Sequence, residues 1–281
     1  MKAALIDGKL IAGKVKNEVA EGVSRLVSEH GEGARPHLAL VLCGEDETSK
    51  RLVAMKKRDC ESVGIKATVH KVPAEAGEDA LLSLIARLDQ DPAVTGILCQ
   101  LPLPLGFDTR RAVEAVVPQK DADGFSARLD CDPSDISACT PAGVIRLLEE
   151  YGVPVKGAEA VVIGRSNIVG KPMALQLLLR GATVTVCHTA TKDLGMHTKR
   201  ADIIVCAAGC PHLITADMVK EGAAVIDVGV TYTESGIIGD VDFAGVAEVA
   251  GFITPNPGGV GPMTRAMLLY NTLMLAQKAQ A

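Results

Sequence analysis

Residues Val161–Met173 read VVIGRSNIVGKPM. Val161, Val162 and Ile163 have the make-up of a strand buried on both faces. Gly164 ends that strand, and Pro172 suits the first turn of a following helix, where a missing N–H costs nothing. A strand, a tight glycine turn and a helix start aim backbone N–H groups and a helix N-terminus at an anionic ligand. The spacing is not the usual GxGxxG, because Ser166 stands in place of the second glycine. Nor is it a Walker P-loop: five residues separate Gly164 from Gly170, and Lys171 is followed by proline. Taken alone, the turn also fits a strand-to-helix connection that holds no ligand. A second glycine-rich stretch, GGVGPMT at Gly258–Thr264, favours the ligand reading. The two together predict one dinucleotide site closed by a second loop.

Outward from this turn, strands and helices alternate along the chain, which predicts an α/β fold. His37–Cys43 (HLALVLC) reads as a buried strand and Gly44–Ser49 as its exit, with Thr48 or Ser49 capping a helix that runs to about Val63. Lys66–Val72 alternates like a strand. Glu78–Gln90 is helical, with Leu81, Leu84, Ile85 and Leu88 on one face. Val94–Cys99 is a strand stopped by QLPLP, and Asp108–Val116 is helical. The polar stretch Pro118–Pro141 reads as a crossing to a second series. That series begins with helix Ala142–Tyr151, then strand Glu159–Ile163, helix Pro172–Arg180 and strand Thr183–Cys187. A helix near Leu194–Arg200 and strands Ile203–Ala207 and Ala224–Val228 follow. A terminal helix, Arg265–Lys278, carries an apolar face (Met267, Leu268, Leu275) that needs a partner. The expected domains are residues 1–139 and 140–264, with 265–281 packing back on the first.

The chain has 281 residues, 48% of them hydrophobic and 22% charged, which is an ordinary globular composition. With three Tyr, four Phe and no Trp, the core must be built from Val, Ile, Leu and Ala. A net charge of −5 argues against a nucleic-acid partner, since neutralising phosphates needs clustered Lys and Arg. The eight Cys show no CxxC spacing, so neither a disulfide framework nor a metal site is expected. The start of the sequence, MKAALIDGKLIAGKV, has no sustained apolar run, and no membrane span is expected. The simplest compartment is the cytoplasm.

An NAD site normally ends its second strand with Asp or Glu, to hold the ribose hydroxyls. Here that strand ends CHTATK, residues 187–192, without a carboxylate. Arg165 and Thr189, with His188 or Lys192, could instead bind a 2′-phosphate, so NADP is the expected cofactor. Further upstream, Leu52 and Lys56 lie four apart on one helix face. Gln100 ends a buried strand at the carboxyl edge where open α/β sheets place ligands. Asp123 sits in the turn KDADG, residues 120–124. Periodicity alone makes Lys56 an ordinary helix-face lysine and Asp123 a turn aspartate before glycine. Gln100, beside two prolines, is harder to explain by solubility.

The chain resembles the bifunctional methylenetetrahydrofolate dehydrogenase/cyclohydrolase family. The matching segments are GILCQLPLP (96–104), KDADGF (120–125), CTPAG (139–143), VVIGRSNIVGKPMA (161–174), ATVTVCHTAT (182–191), VIDVGV (225–230) and ITPNPGGVGPMT (253–264). The resemblance implies an N-terminal three-layer α/β domain, a Rossmann-type NADP-binding domain, a cleft between them, and a homodimer through the cofactor domain. It implies oxidation of 5,10-methylenetetrahydrofolate by NADP⁺, then hydration of the methenyl cation to 10-formyltetrahydrofolate. Carried over residue by residue, it makes Lys56, Gln100 and Asp123 catalytic. Leu52, Leu101, Pro102, Gly259 and Pro262 then join them around the folate. Thr140, Gly164, Arg165, Ser166, Ile168, His188, Thr189, Ala208, Gly209, Val230, Gly258 and Thr264 fall around the cofactor. A lysine serves as a base only in its neutral form.

The sequence departs from the family where a tyrosine usually precedes the lysine by four residues; here that residue is Leu52. The preceding Glu47-Thr48-Ser49 replaces a usual Pro-Ala-Ser, and Ser126–Ala138 is short and lacks an asparagine-containing segment. Leucine keeps apolar contact but can neither donate a hydrogen bond nor stack. Hydride transfer needs mainly alignment, whereas hydration also needs a tuned base and a placed water. The expectation is that oxidation survives and hydrolysis is weakened. Two other readings stay open at this point: a dehydrogenase of another small substrate, and a non-catalytic folate- or NADP-binding paralogue.

Overall fold

The computed structural model describes residues 2–125, 136–233 and 236–280. The chain opens with a two-residue strand, β1 (Ala4–Leu5), and a long helix, α1 (Gly8–His30). β2 (His37–Cys43), α2 (Glu47–Ser62), β3 (Lys66–Val72), α3 (Glu78–Gln90), β4 (Gly96–Cys99) and α4 (Thr109–Glu114) follow. Then come α5 (Cys139–Glu150), β5 (Glu159–Ile163), α6 (Gly170–Leu179), β6 (Thr183–Cys187), α7 (Leu194–Thr198), β7 (Ile203–Cys206) and β8 (Ala224–Asp227). A hairpin, β9 (Thr231–Thr233) and β10 (Gly236–Ile238), precedes α8 (Phe243–Val246), β11 (Phe252–Ile253) and the last helix, α9 (Val260–Lys278). Among the described residues no helix is long and apolar enough to cross a membrane.

The chain divides into two compact units: Met1–Gly13 with Ala138–Thr264, and Lys14–Ser137 with Arg265–Ala281. In the second of these, β3, β2 and β4 form a parallel sheet in that order. Every residue of β2 is buried, as its uninterrupted apolar run requires. Ala39, Val41 and Cys43 on one face pack with Leu81, Leu84, Ile85 and Leu88 of α3 and Ala112 of α4. The cap of α2 is Asp46, whose carboxylate accepts from the Ser49 N–H at 2.7 Å. The sequence predicts Thr48 or Ser49 as the cap; the helix starts earlier because Asp46, two residues ahead of Thr48, already offers a capping carboxylate.

In the other unit a parallel sheet of six strands runs in the order β1-β11-β8-β7-β5-β6. Ala4 and Leu5 pair with Phe252 and Ile253, so the first residues group with this sheet and not with the domain of residues 1–139 that sequence reading predicted. From β5 the chain goes outward through α6 to β6, then back past β5 to β7. The strand order therefore reverses between β5 and β7, and this reversal is where open α/β sheets form a ligand crevice at their carboxyl ends. One face of the sheet buries Val161, Ile163, Ile204, Cys206, Val225 and Ile253 with Val246 and Ala247.

Several boundaries differ from the sequence reading. The connecting helix begins at Cys139, so Thr140 and Pro141 lie in its first turn. The terminal helix begins at Val260, so most of GGVGPMT is helix and the turn proper is Gly258-Gly259. Most of the short stretch Ser126–Ala138 lies outside the described residues.

Candidate active site

In the unit Lys14–Ser137 with Arg265–Ala281, Lys56 projects from α2 and its Nζ donates to Gln100 Oε1 at 3.0 Å. Gln100 directly follows β4 and is almost fully buried. Its Nε2 donates to the carbonyl of Leu101, which fixes the amide with its oxygen toward the lysine. Leu52 lies one turn earlier on α2 and is half-buried.

Asp123 belongs to the same cluster. The backbone beside it is pinned on both sides: Ala122 N–H donates to Ile97 O at 3.2 Å, and Asp121 Oδ1 accepts from Gly124 N–H at 3.0 Å. Asn271 of α9 holds the turn from behind, its Nδ2 donating to Ala122 O at 3.0 Å and Ser137 O at 2.9 Å. The Asp123 residue keeps some exposed surface, but its carboxyl lies deep among protein atoms. Burial pushes it up to about 6; the Lys56 charge pulls it down and the Asp121 charge adds to the rise. The neighbouring Cys99 thiol is pushed up to about 12, chiefly by burial and then by Asp123, so it packs as a small apolar group rather than acting as a nucleophile.

Helix α2 is itself anchored. Asp59, one turn beyond Lys56, accepts from Lys16 of α1 at 2.5 Å and from Arg265 of α9 at 2.8 Å. Sequence reasoning named neither Asp59 nor Asn271. Asp59 acts through ion pairs between helices and Asn271 by holding backbone carbonyls, at separations in sequence that no local pattern reveals.

In the unit Met1–Gly13 with Ala138–Thr264, the residues expected around the cofactor follow the carboxyl ends of successive strands. Gly164 to Ile168 follow β5, His188 and Thr189 follow β6, Ala208 and Gly209 follow β7, and Val230 lies just beyond β8. Gly164 has φ +113°, and a Cβ there would lie 2.3 Å from Ala207 O. Only glycine fits, and the cradle so made lies at the reversal between β5 and β7. A Cβ at Gly170 would lie 2.2 Å from Gly164 O, so the turn closes tightly on the start of α6. Ser166 Oγ accepts from the N–H groups of Val169 at 3.1 Å and Gly170 at 3.3 Å. It thus does the work of a helix cap in place of the missing motif glycine.

Arg165 and Thr189 are exposed. His188 Nδ1 accepts from Ala190 N–H at 3.2 Å, leaving Nε2 for a ligand. Thr140 and Thr264, both expected at the cofactor, share a hydroxyl hydrogen bond of 2.9 Å. Gly258, Gly259 and Pro262 stand at the head of α9. Gly259 and Pro262, expected beside the folate, are thus in the unit that carries the cofactor residues.

A glycine cradle at a strand-order reversal, within a parallel sheet, is the architecture of nucleotide-binding α/β proteins. Comparison with known proteins narrows the class. Residues 6–123 match the catalytic domain of tetrahydrofolate dehydrogenase/cyclohydrolase, and residues 138–280 match its NAD(P)-binding domain. The chain belongs to the tetrahydrofolate dehydrogenase/cyclohydrolase family. It is 51% identical over 280 residues to the bifunctional protein FolD of Methanosarcina barkeri, covering 98% of this chain and 97% of that one. Its structure resembles the bifunctional FolD enzyme of Campylobacter jejuni at a TM-score of 0.94, with 45% identity and 99% of each chain covered. It also resembles the FolD of Trypanosoma brucei, solved with NADP cofactor and an inhibitor. There the TM-score is 0.92 and the identity 36%, with 100% of this chain and 99% of that one covered.

Proposed function

We propose that this protein oxidises 5,10-methylenetetrahydrofolate with NADP⁺ and hydrolyses the methenyl product to 10-formyltetrahydrofolate, with the second step weakened. The observation that carries the reading is the Lys56–Gln100 hydrogen bond of 3.0 Å beside Asp123, whose carboxyl is pushed up to about 6 by burial. NADP⁺, when bound, supplies the hydride acceptor. The chain's own groups do the rest. Asp123, as a carboxylate, accepts from the donor edge of the pterin ring and fixes its orientation. Gln100 holds the Lys56 amine in place. In its neutral form that amine takes a proton from the water that adds to the methenyl carbon and returns it to N5 as the C–N5 bond breaks, the carbinol proton leaving to solvent and the formyl group staying on N10. The glycine turn after β5 supports the cofactor phosphates, and Arg165 with Thr189 takes the 2′-phosphate. Mixing the protein with NADP⁺ and methylenetetrahydrofolate tests the reading. Reduced-nicotinamide absorbance must rise, and its absence would refute the proposal.

The family match and the retained Lys56, Gln100 and Asp123 favour the folate reaction over another small substrate or a non-catalytic role. Hydrolysis is the step that Leu52 impairs, since leucine offers no hydroxyl near the lysine. Leu52→Tyr is expected to raise methenyltetrahydrofolate hydrolysis by about fivefold, the worth of one net hydrogen bond of roughly 1 kcal/mol, while oxidation changes less. Equal gains in both steps would refute this role for position 52.

Cofactor choice rests on the strand end at Cys187–Lys192, which lacks a carboxylate. Arg165→Ala is expected to raise the KM for NADP⁺ by roughly ten- to hundredfold, as losing hydrogen bonds to a charged group costs about 1.5–3 kcal/mol. The KM for NAD⁺ should not move. A homodimer through the cofactor unit fits the exposed apolar residues Leu178, Leu179 and Val186, on α6 and on the edge strand β6. Six cysteines are buried among the described residues, and their packing as small apolar groups fits a reducing compartment, the cytoplasm.

A further inference from the structure

Asp240 is fully buried, yet the reaction above gives it no task. Its Oδ2 accepts from the N–H groups of Ala208 at 2.7 Å and Gly209 at 2.9 Å, and its Oδ1 from Cys210 N–H at 2.8 Å. The Cys206 thiol adds a fourth donor at 3.6 Å. Asp227, at the end of β8, holds Asp240 from below: its carboxylate accepts from the N–H groups of Asp240 at 3.0 Å and Val241 at 3.3 Å. Two glycines make room for the pair. A Cβ at Gly229 would lie 2.0 Å from the Asp240 carboxyl carbon, and one at Gly239 would lie 1.9 Å from Asp227 Oδ2. Two buried carboxylates and two obligatory glycines are a costly arrangement for merely closing a loop.

What the arrangement does follows from peptide geometry. In a trans peptide the N–H and C=O point in opposite directions. Drawing the N–H groups of residues 208, 209 and 210 onto Asp240 therefore turns the carbonyls of Ala207, Ala208 and Gly209 away from it. For Ala207 the direction is fixed independently: its oxygen lies 2.3 Å from the place of a Gly164 Cβ, so it faces the glycine turn. The loop after β7 thus turns the carbonyls of residues 207–209 away from Asp240, with the Ala207 oxygen facing the glycine turn after β5 at the reversal of strand order.

We propose that Asp240 is a positioning residue for the dinucleotide, fixing the 207–209 carbonyls as acceptors for ribose hydroxyls of the bound nucleotide. This rests on the cofactor reading given above. Donors after β5 take the phosphates, and acceptors after β7 take the hydroxyls. The same carbonyls disfavour a phosphate over β7, which fixes the direction in which the dinucleotide lies across the sheet.

Asp240→Asn keeps the size of the side chain but leaves one acceptor oxygen and adds an NH₂ facing backbone donors. The expected result is a KM for NADP⁺ raised by about tenfold or more, as for a lost charged hydrogen bond. At saturating NADP⁺, kcat should change by less than about threefold, the pattern of lost uniform binding, and the KM for methylenetetrahydrofolate should stay unchanged. A folded variant with the parent KM for NADP⁺ overturns the proposal, as does a fall in kcat alone. Failure of the parent chain to reduce NADP⁺ would instead overturn the functional reading. A second measurement does not need the variant: amide hydrogen exchange at residues 208–210 of the parent chain. Slow exchange that NADP⁺ slows further supports the proposal, and exchange at the rate of an open loop, or exchange that NADP⁺ leaves unchanged, overturns it.

Discussion

Replacing Lys56 by glutamine is expected to slow methenyltetrahydrofolate hydrolysis by about 10²–10⁴-fold, the usual contribution of a positioned general base. Glutamine keeps a side chain able to reach Gln100, whose oxygen now accepts from Lys56 at 3.0 Å, but it cannot take a proton from water. Oxidation should suffer less, because hydride transfer depends chiefly on how the two reactants are held. The decay of added methenyltetrahydrofolate, measured beside NADP⁺ reduction, checks this. Equal losses in the two steps would mean that Lys56 holds the substrate rather than acting as a base.

The second large effect falls on Asp123. Its carboxyl is pushed up to about 6 by burial, and the pterin edge is paired by the ionised form. Folate affinity should therefore fall as pH drops through about 6, and Asp123→Asn should abolish that dependence. The loss of a charged hydrogen bond, about 1.5–3 kcal/mol, raises the KM for the folate by roughly ten- to hundredfold at neutral pH. Stability moves the opposite way. A folded-state value above the ordinary 3.8 means that ionising Asp123 costs stability. The stability of the protonated form is fully present below about 3.8 and is lost as pH rises through about 6. The asparagine variant, which never pays this cost, should melt higher than the parent at pH well above 6 and alongside it in acid. A variant that melts lower at neutral pH, with unchanged folate affinity, would sink the assignment.

Much of the architecture was legible because the parallel strands carry clear patterns, an unbroken apolar run in the buried β2 and alternating or β-branched residues in the edge strands β3 and β6. His37–Cys43 and Lys66–Val72 were read to the residue, as were Glu159–Ile163 and Thr183–Cys187. The Gly164 turn was legible for the same reason: its sequence carries the strand, the break and the helix start together. Helix α1 was missed although its signal is present, with Ile11, Val15, Val19, Val23 and Leu26 buried at helical spacing. β1 and β11 were invisible for a better reason, since two residues each carry no period. Asp240 could not have been found locally. Its partners lie some thirty residues away, and only the fold brings a carboxylate beneath that loop. The Asp in VIDVGV, ending an otherwise apolar strand, was the one visible hint.

The pairing of Ala4 with Phe252 has a consequence for biogenesis. During synthesis, the segment that carries Ala4 must wait for β11, the last strand among the described residues, before its edge of the sheet can close. Nor is the other unit contiguous, since Arg265–Ala281 belongs with Lys14–Ser137. No single cut of the chain would therefore release either half whole, and assembly is bound to be dominated by late, long-range contacts, a topology that folds slowly.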